Sequence, residues 1–249
     1  MTETDNPLKA LLIYLSPHGT TRRAVEALAA ALTQNGLAAD ICDMREFEQN
    51  SDKEKLRLRL PAYPLIVFGS PTYFHHAPPV VTDFIRTLPD AGEDQAAAVL
   101  STNLSLGAAL FLRLAETAAG WYARAGAFEP SIVEWHRRGK ADRPSGTARA
   151  IARRIVAVDP RWSGPDGADA ADSRPALDVV GIRAGSNPGS HLVTFDGQGE
   201  SIELRIAARD RTAYAYGALA AARWLTAERR APGMHTFDAV VDDLLAVSA

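Results

Sequence analysis

Two groups that can move protons lie close together in the stretch Glu134-Trp135-His136-Arg137-Arg138-Gly139-Lys140-Ala141-Asp142-Arg143-Pro144-Ser145-Gly146-Thr147-Ala148. His136 falls at the end of an expected strand and Lys140 in the loop after it. An imidazole and an ammonium so placed can exchange protons with a substrate. Ser145-Gly146-Thr147 opens an expected helix, whose first N–H groups favour an anion such as a carboxylate. Arg137 and Arg138 add guanidinium groups suited to bidentate carboxylate contacts. Together these residues describe a site for a small anionic substrate with a proton donor beside it. Lysine is otherwise scarce: the chain carries only Lys9, Lys53, Lys55 and Lys140. The competing reading is a protein that keeps the fold without the chemistry.

A second group of residues lies near the start. Lys9 to Leu15 is a short apolar run that ends at Ser16-Pro17-His18-Gly19-Thr20-Thr21. A loop between a strand and a helix presents backbone N–H groups at the positive end of the helix dipole and suits a phosphate. Gly19 allows close approach, and Ser16, Thr20 and Thr21 add hydroxyls. The single glycine excludes a dinucleotide G-x-G-x-x-G, and no Gly-Lys-Ser/Thr follows as a Walker loop requires. A later loop, Gly69-Ser70-Pro71-Thr72-Tyr73-Phe74, closes another apolar run. Tyr73 and Phe74 either stack on a flat cofactor ring or anchor the loop. His75 and His76 have no further ligands at useful spacing, so no metal site is expected.

The elements that must position these residues follow from hydrophobic period and turn chemistry. Lys9–Leu15, Ala38–Met44, Leu65–Phe68 and Ala96–Leu100 read as strands. Arg22–Asn35, capped by Gly36, and Pro79–Leu88 read as helices between them. This alternation predicts a parallel sheet covered by helices. The pattern then changes. Leu106–Ala125 and Ser145–Val156 read as helices around a strand at Ser131–Trp135. Asp159–Pro175, rich in Gly, Pro, Asp and Ala, reads as a surface loop. Leu177–Ile182, His191–Phe195 and Ser201–Ala207 read as strands joined by short turns. Thr212–Glu228 and Asp238–Val247 close the chain as helices. The expectation is an α/β chain with two domains: a parallel-sheet domain over 1–102 and an α+β domain with a mixed sheet over 103–249. The helix at 238–247 is the one element that could pack back on the first domain.

Bulk properties bound the function. The 249 residues have a formal net charge of -3, 47% hydrophobic and 23% charged residues. That composition is ordinary for a globular protein and gives no basic footprint for nucleic acid. The single cysteine, Cys42, excludes an intrachain disulfide and reads as a structural thiol in a strand. No signal-like segment opens the chain and no apolar run is long enough to span a membrane. The expectation is a cytoplasmic protein without a membrane partner.

Two families resemble these motifs. Ser16-Pro17-His18-Gly19-Thr20-Thr21 is similar to the S/T-x-T-G-x-T loop of flavodoxins, with His18 in place of the usual Thr. The loop from Gly69 to Phe74 and the helix after it are similar to their second flavin loop. The resemblance covers about residues 8 to 102 and implies an FMN phosphate at Ser16, His18, Gly19, Thr20 and Thr21. It implies flavin contacts from Ser70, Pro71, Thr72, Tyr73 and Phe74. The stretch from Glu134 to Ala148 resembles the signature E-x-H-H-x-x-K-x-D-A-P-S-G-T-A of dihydrodipicolinate reductases. That resemblance implies acid–base roles for His136 and Lys140 and substrate binding by Ser145, Gly146 and Thr147. Arg137 stands where that family has its second histidine, also a substrate contact. Arg183-Ala184-Gly185 with Gly189 and His191, and Arg211 with Tyr214 and Gly217, match two further stretches of the family. For His191 and Arg211, contacts within the fold are an equal reading. Thr102-Asn103-Leu104 resembles the start of the family's loop between cofactor and substrate, and it also sits where flavodoxins carry their third cofactor loop.

Joined, the two resemblances imply an oxidoreductase in which FMN, or NAD(P)H, exchanges hydride with a small cyclic imine or dihydropyridine carboxylate. FMN would take the nicotinamide's place, facing a substrate held by His136, Lys140, Gly146 and Thr147. They also imply a homo-oligomer, dimer or tetramer. The alternatives are an NAD(P)H-dependent flavin or quinone reductase, oxidation of the substrate to a pyridine carboxylate, and a cofactor-free binding protein.

Overall fold

The computed structural model describes residues 9–17, 19–46, 50–70, 78–86, 97–101, 103–164, 173–210, 212–227, 231 and 233–246. His18, Pro71, Thr72, Tyr73, Phe74, His75, His76, Thr102 and Arg211 lie outside the described residues. The chain forms two compact units. One comprises residues 1–106 and 211–249, the other residues 107–210.

The first unit is built on β1 (Lys9–Tyr14), with β2 (Ala38–Asp43) and β3 (Leu65–Gly69) parallel to it on either side, in the order β2-β1-β3. Because side chains alternate along a strand, β1 is buried on both faces. Ala10, Leu12 and Tyr14 pack with Val25, Leu28 and Leu32 of α1 (Thr20–Gln34). Leu11 and Ile13 point the other way, into a core with Leu56 of α2 (Asn50–Arg59) and with Val81 and Phe84 of α3 (Pro79–Arg86). Cys42 packs against this second core, and burial raises its thiol pKa, which suits a structural thiol.

The strand β4 (Ala97–Leu100) does not continue the described three-stranded sheet. It pairs in parallel with a late strand, which is β9 in chain order (Gly233–Thr236). Before that strand the chain forms α6 (Thr212–Ala227), and after it α7 (Phe237–Ala246). Ala215, Leu219 and Ala222 of α6 join the α1 side of the first core. The compact units thus group the whole segment from 211 onward with the front of the chain, where the expectation had only the last helix packing back. The physical reason is the small-residue face of α6, which complements the alanine-rich α1. A spacing rule sees a helix there but not its partner.

The second unit holds α4 (Leu106–Ala125) and α5 (Gly146–Val158) over a mixed sheet in the order β6-β5-β7-β8. These strands are β5 (Phe128–His136), β6 (Val179–Arg183), β7 (Ser190–Gly197) and β8 (Glu200–Ala207). The pair β5–β6 is parallel, while β5–β7 and β7–β8 are antiparallel. Phe111, Ala115 and Ala119 of α4 and Ile151, Ala152 and Ile155 of α5 pack on Ile132, Val193 and Phe195. Among the described residues no helix is long and apolar enough to cross a membrane.

Gly217 gives a test of this packing. A Cβ added there would lie 1.5 Å from the Leu104 carbonyl oxygen. In an ordinary helix interior, Gly→Ala stabilises by about 1 kcal/mol. Here Gly217→Ala is expected to destabilise by at least about 2 kcal/mol, read as a lower urea midpoint. A midpoint that stays or rises would contradict the close approach of α6 to the Leu104 loop.

Candidate active site

Strand alternation creates the second unit's site. Ile132, Glu134 and His136 share the helix-covered face of β5, so a row that starts as core ends in a carboxylate and an imidazole. The register sets Glu134 between Gly181 on β6 and His191 on β7, and His136 beside Arg183. Glu134 is fully buried, and His136 and His191 are each only 7% exposed. A charge so buried must be paired.

Each oxygen of Glu134 has its own partners. Oε1 accepts the Ser145 backbone N–H at 2.8 Å and the Arg183 Nη2 at 2.7 Å. Oε2 stands 2.8 Å from His136 Nδ1, at ion-pair distance rather than in an aligned hydrogen bond, and 3.8 Å from His191 Nε2. Burial alone would raise the Glu134 pKa, but the contacts with His136, Ser145 and Arg183 outweigh it and hold the carboxyl far below its usual range. The His136 and His191 rings meet edge to face at 5.3 Å between centroids.

Two glycines make room for this group. A Cβ at Gly181 would come within 2.9 Å of Glu134 Oε1 and of Arg143 Cγ. A Cβ at Gly189 would lie 2.8 Å from His136 Nε2, and its φ of +150 is itself one that side-chain-bearing residues rarely adopt. The turn carrying Gly189 also holds the stretch after β5: Arg137 N–H donates to the Asn187 carbonyl at 2.8 Å and Arg138 N–H to the Gly185 carbonyl at 3.1 Å.

Ser145 caps α5. Its hydroxyl accepts the Ala148 N–H at 3.2 Å and lies 3.2 Å from His191 Nε2. Gly146 is exposed and Thr147 half-buried at the start of the helix. Lys140 Nζ pairs with Asp142 Oδ1 at 2.6 Å. Burial works to raise the Asp142 pKa, yet Lys140 and backbone N–H groups that include Gly146 carry it below its usual value. The cation and helix terminus expected to take a substrate carboxylate thus hold one of the chain's own. Arg137 and Arg138 are exposed.

Of the sequence candidates, His136, Lys140, Ser145, Gly146 and Thr147 all belong to this unit. Sequence reasoning gave no role to Glu134 and left Arg183 and His191 as pattern matches. The signal that finds Glu134 is a charged residue at the core-facing parity of a strand. Glu134, His136 and His191 offer ligand atoms within 4.8 Å of one another, a cluster not foreseen when no metal was expected. The Arg183 guanidinium on the same carboxylate supplies the positive charge that a metal ion would bring.

The first unit carries the other expected site. Gly19 opens α1 with φ 73, and a Cβ there would meet nothing within 4 Å among the described residues. The buried Ser16 hydroxyl accepts the Arg22 N–H at 3.0 Å, so it braces the helix start. Thr21 packs beside Gly69, where a Cβ would lie 3.1 Å from its methyl group. Ser70 follows Gly69 and is half-buried. Asn103 Oδ1 accepts the Ser105 N–H at 2.9 Å, which folds the Asn103-Leu104 loop on itself.

The His191 pKa is pushed down to about 4, first by burial, then by His136, Lys140 and Arg183, with Glu134 opposing. A histidine with a depressed folded pKa is neutral in the fold, so its contribution is full above the unfolded value near 6.5 and is lost as pH falls toward 4. Glu134 acts in the same direction at lower pH. Unfolding free energies from urea titrations are therefore expected to fall between pH 6.5 and 4, by on the order of 2–3 kcal/mol from His191. His191→Gln should flatten that slope; an unchanged slope in the variant would contradict the assignment.

Comparison with known proteins gives these arrangements a family. Residues 107–241, more than half the chain, match the family described as dihydrodipicolinate reductase, C-terminus. Residues 11–110 match a flavodoxin domain. A 4-hydroxy-tetrahydrodipicolinate reductase of Rhodopirellula baltica is 38% identical over 143 residues, covering 55% of this chain and 51% of that protein. One from Campylobacter curvus is 38% identical over 135 residues, covering 52% of each. The chain thus spans about half the length of the curated relatives it matches. A solved dihydrodipicolinate reductase from Paenisporosarcina sp. TG-14, with dipicolinate bound, shares the fold. Its TM-score is 0.56 at 14% identity, over 91% of this chain and 97% of that one. With a mixed-sheet unit that matches the family's C-terminal part and a flavodoxin-like domain ahead of it, the chain belongs to the dihydrodipicolinate reductase family.

Proposed function

We propose that the protein is an oxidoreductase acting on a small cyclic imine or dihydropyridine carboxylate, with His136 and Lys140 as its acid–base groups. The observation that carries this reading is the buried Glu134–His136 pair beside the capped start of α5. An imidazole backed by an ionised carboxylate is a competent proton carrier. Thr147 and the N–H groups of the α5 start suit a substrate carboxylate, which would exchange with Asp142 for Lys140 and Gly146. Arg137, Arg138 and Ser145 complete a cationic, hydrogen-bonding surround for a small anion.

The cofactor proposed for the first unit is FMN. The strand order β2-β1-β3 is that of flavodoxin-like folds, which take FMN at the β1/β3 switch point. Gly19, open on the loop at the start of α1, fits a phosphate there. Ser16, Thr20 and Thr21, with His18, would surround the phosphate. Ser70, Pro71, Thr72, Tyr73, Phe74, Thr102, Asn103 and Leu104 would line the ring. When bound, the cofactor would supply or accept a hydride. The chain's own residues do the rest: His136 or Lys140 gives up a proton in the reducing direction, and takes one where the product is a pyridine carboxylate.

NAD(P)H, as reductant of the flavin or in its place, is the second reading. The observation favouring it is Asp43 at the end of β2, where dinucleotide folds carry an acidic residue for the ribose. Here that carboxylate is held by Arg45 at 2.5 Å. The reading also includes a homo-oligomer, since Trp135, Val180 and Ile182 lie exposed on the sheet face away from the helices.

Natively purified protein is expected to show flavin absorbance, or to bind added FMN in a fluorescence titration. It should then reduce or oxidise a dihydrodipicolinate-class substrate. His136→Ala should lower turnover at least about 100-fold without weakening FMN binding. No FMN binding by either measurement would sink the flavin reading. His136→Ala with full activity would sink the acid–base assignment.

A further inference from the structure

Glu134 has two oxygens with separate duties. Oε1 is taken by the Ser145 N–H and the Arg183 guanidinium, both under 3 Å. Oε2 lies beside two imidazole nitrogens, His136 Nδ1 at 2.8 Å and His191 Nε2 at 3.8 Å. We propose that Glu134, clamped by Arg183, is the positioning residue of the site, and that its Oε2 holds the His136 ring with Nδ1 inward so that Nε2 is the atom that exchanges protons with substrate. This deepens the proposed function and rests on His136 being the acid–base group.

The surroundings fit that role. Nε2 is the His136 atom nearest Gly189, and a Cβ there would crowd it at 2.8 Å. A neutral imidazole with its proton on Nδ1, held there by a carboxylate oxygen 2.8 Å away, keeps its lone pair on Nε2, the arrangement needed to accept a proton there. Arg183 does two further things. Its charge keeps Glu134 an acceptor rather than a carboxylic acid. The same Nη2 also donates to the Asp142 backbone carbonyl, so the guanidinium ties the Lys140 loop to the carboxylate that orients His136. Both expected acid–base groups are thereby fixed to one buried ion pair. The titratable and charged groups beside His136 are Glu134 from its own strand, Arg183 from β6 and the neutral His191 from β7; the Lys140–Asp142 pair stands in the loop that follows His136.

Tautomer assignment tests this without any substrate. Long-range proton–nitrogen NMR on the full-length labelled protein, with His136→Asn to assign the ring, should show neutral His136 carrying its proton on Nδ1. Glu134→Gln should shift it toward the Nε2–H form, and Glu134→Asp should restore part of the Nδ1–H population. In kinetics, Glu134→Gln should lower kcat at least about tenfold with KM within about threefold. A wild-type His136 protonated on Nε2, or a tautomer unmoved by Glu134→Gln, overturns the proposal even if the enzyme is active. An Nδ1–H ring in a protein without reductase activity instead overturns the functional reading, and with it the proton exchange at Nε2, and leaves only the orienting of the His136 ring by Glu134 standing.

Discussion

A single carboxylate with no exposed surface governs the second unit. Glu134 sits in a row of core residues, where an unpaired charge would cost several kcal/mol. The neighbouring elements answer to it. β6 supplies Arg183, and its Gly181 leaves room for the contact. α5 begins where the Ser145 N–H meets the carboxylate. β7 contributes His191, neutral and hydrogen-bonded to the cap hydroxyl. The imidazole of His136 is left facing the remaining oxygen. Stability and the proposed chemistry rest on the same atoms, since removing the partner of a buried charge would harm both.

The arrangement also explains why the stretch from His136 to Thr147 can be short. Strand β5 ends at His136, the turn 184–189 grips the next two residues, and Arg183 reaches the Asp142 carbonyl. The loop is held at both ends, with Lys140 between. In the first unit the organising constraint is different. There a strand buried on both faces requires helices on both sides, and α6 arrives from the end of the chain to provide part of one layer.

Much of this was legible in the sequence because it is local. Element types followed from period and turn chemistry: β1, α1, α4 and β7 lie within a few residues of their expected spans. His136 and Lys140 stood out through spacing. What escaped was non-local. Nothing near Gly233–Thr236 marks a four-residue strand whose partner lies more than a hundred residues earlier. The affinity of α6 for α1 is likewise a matter of facing surfaces. Glu134 was visible as a letter in a motif but not as a centre, because its meaning depends on a register that brings Gly181 and His191 to either side. The strand parity of Ile132, Glu134 and His136 was the clue available.

The central claim is that the second unit holds a small cyclic dicarboxylate beside His136. Calorimetric titration of the protein with a pyridine dicarboxylate tests it without a cofactor. The account predicts saturable binding with one site per chain, weakened at least about tenfold by Lys140→Ala and by Thr147→Val. Absence of binding, or affinity that ignores both substitutions, would contradict it.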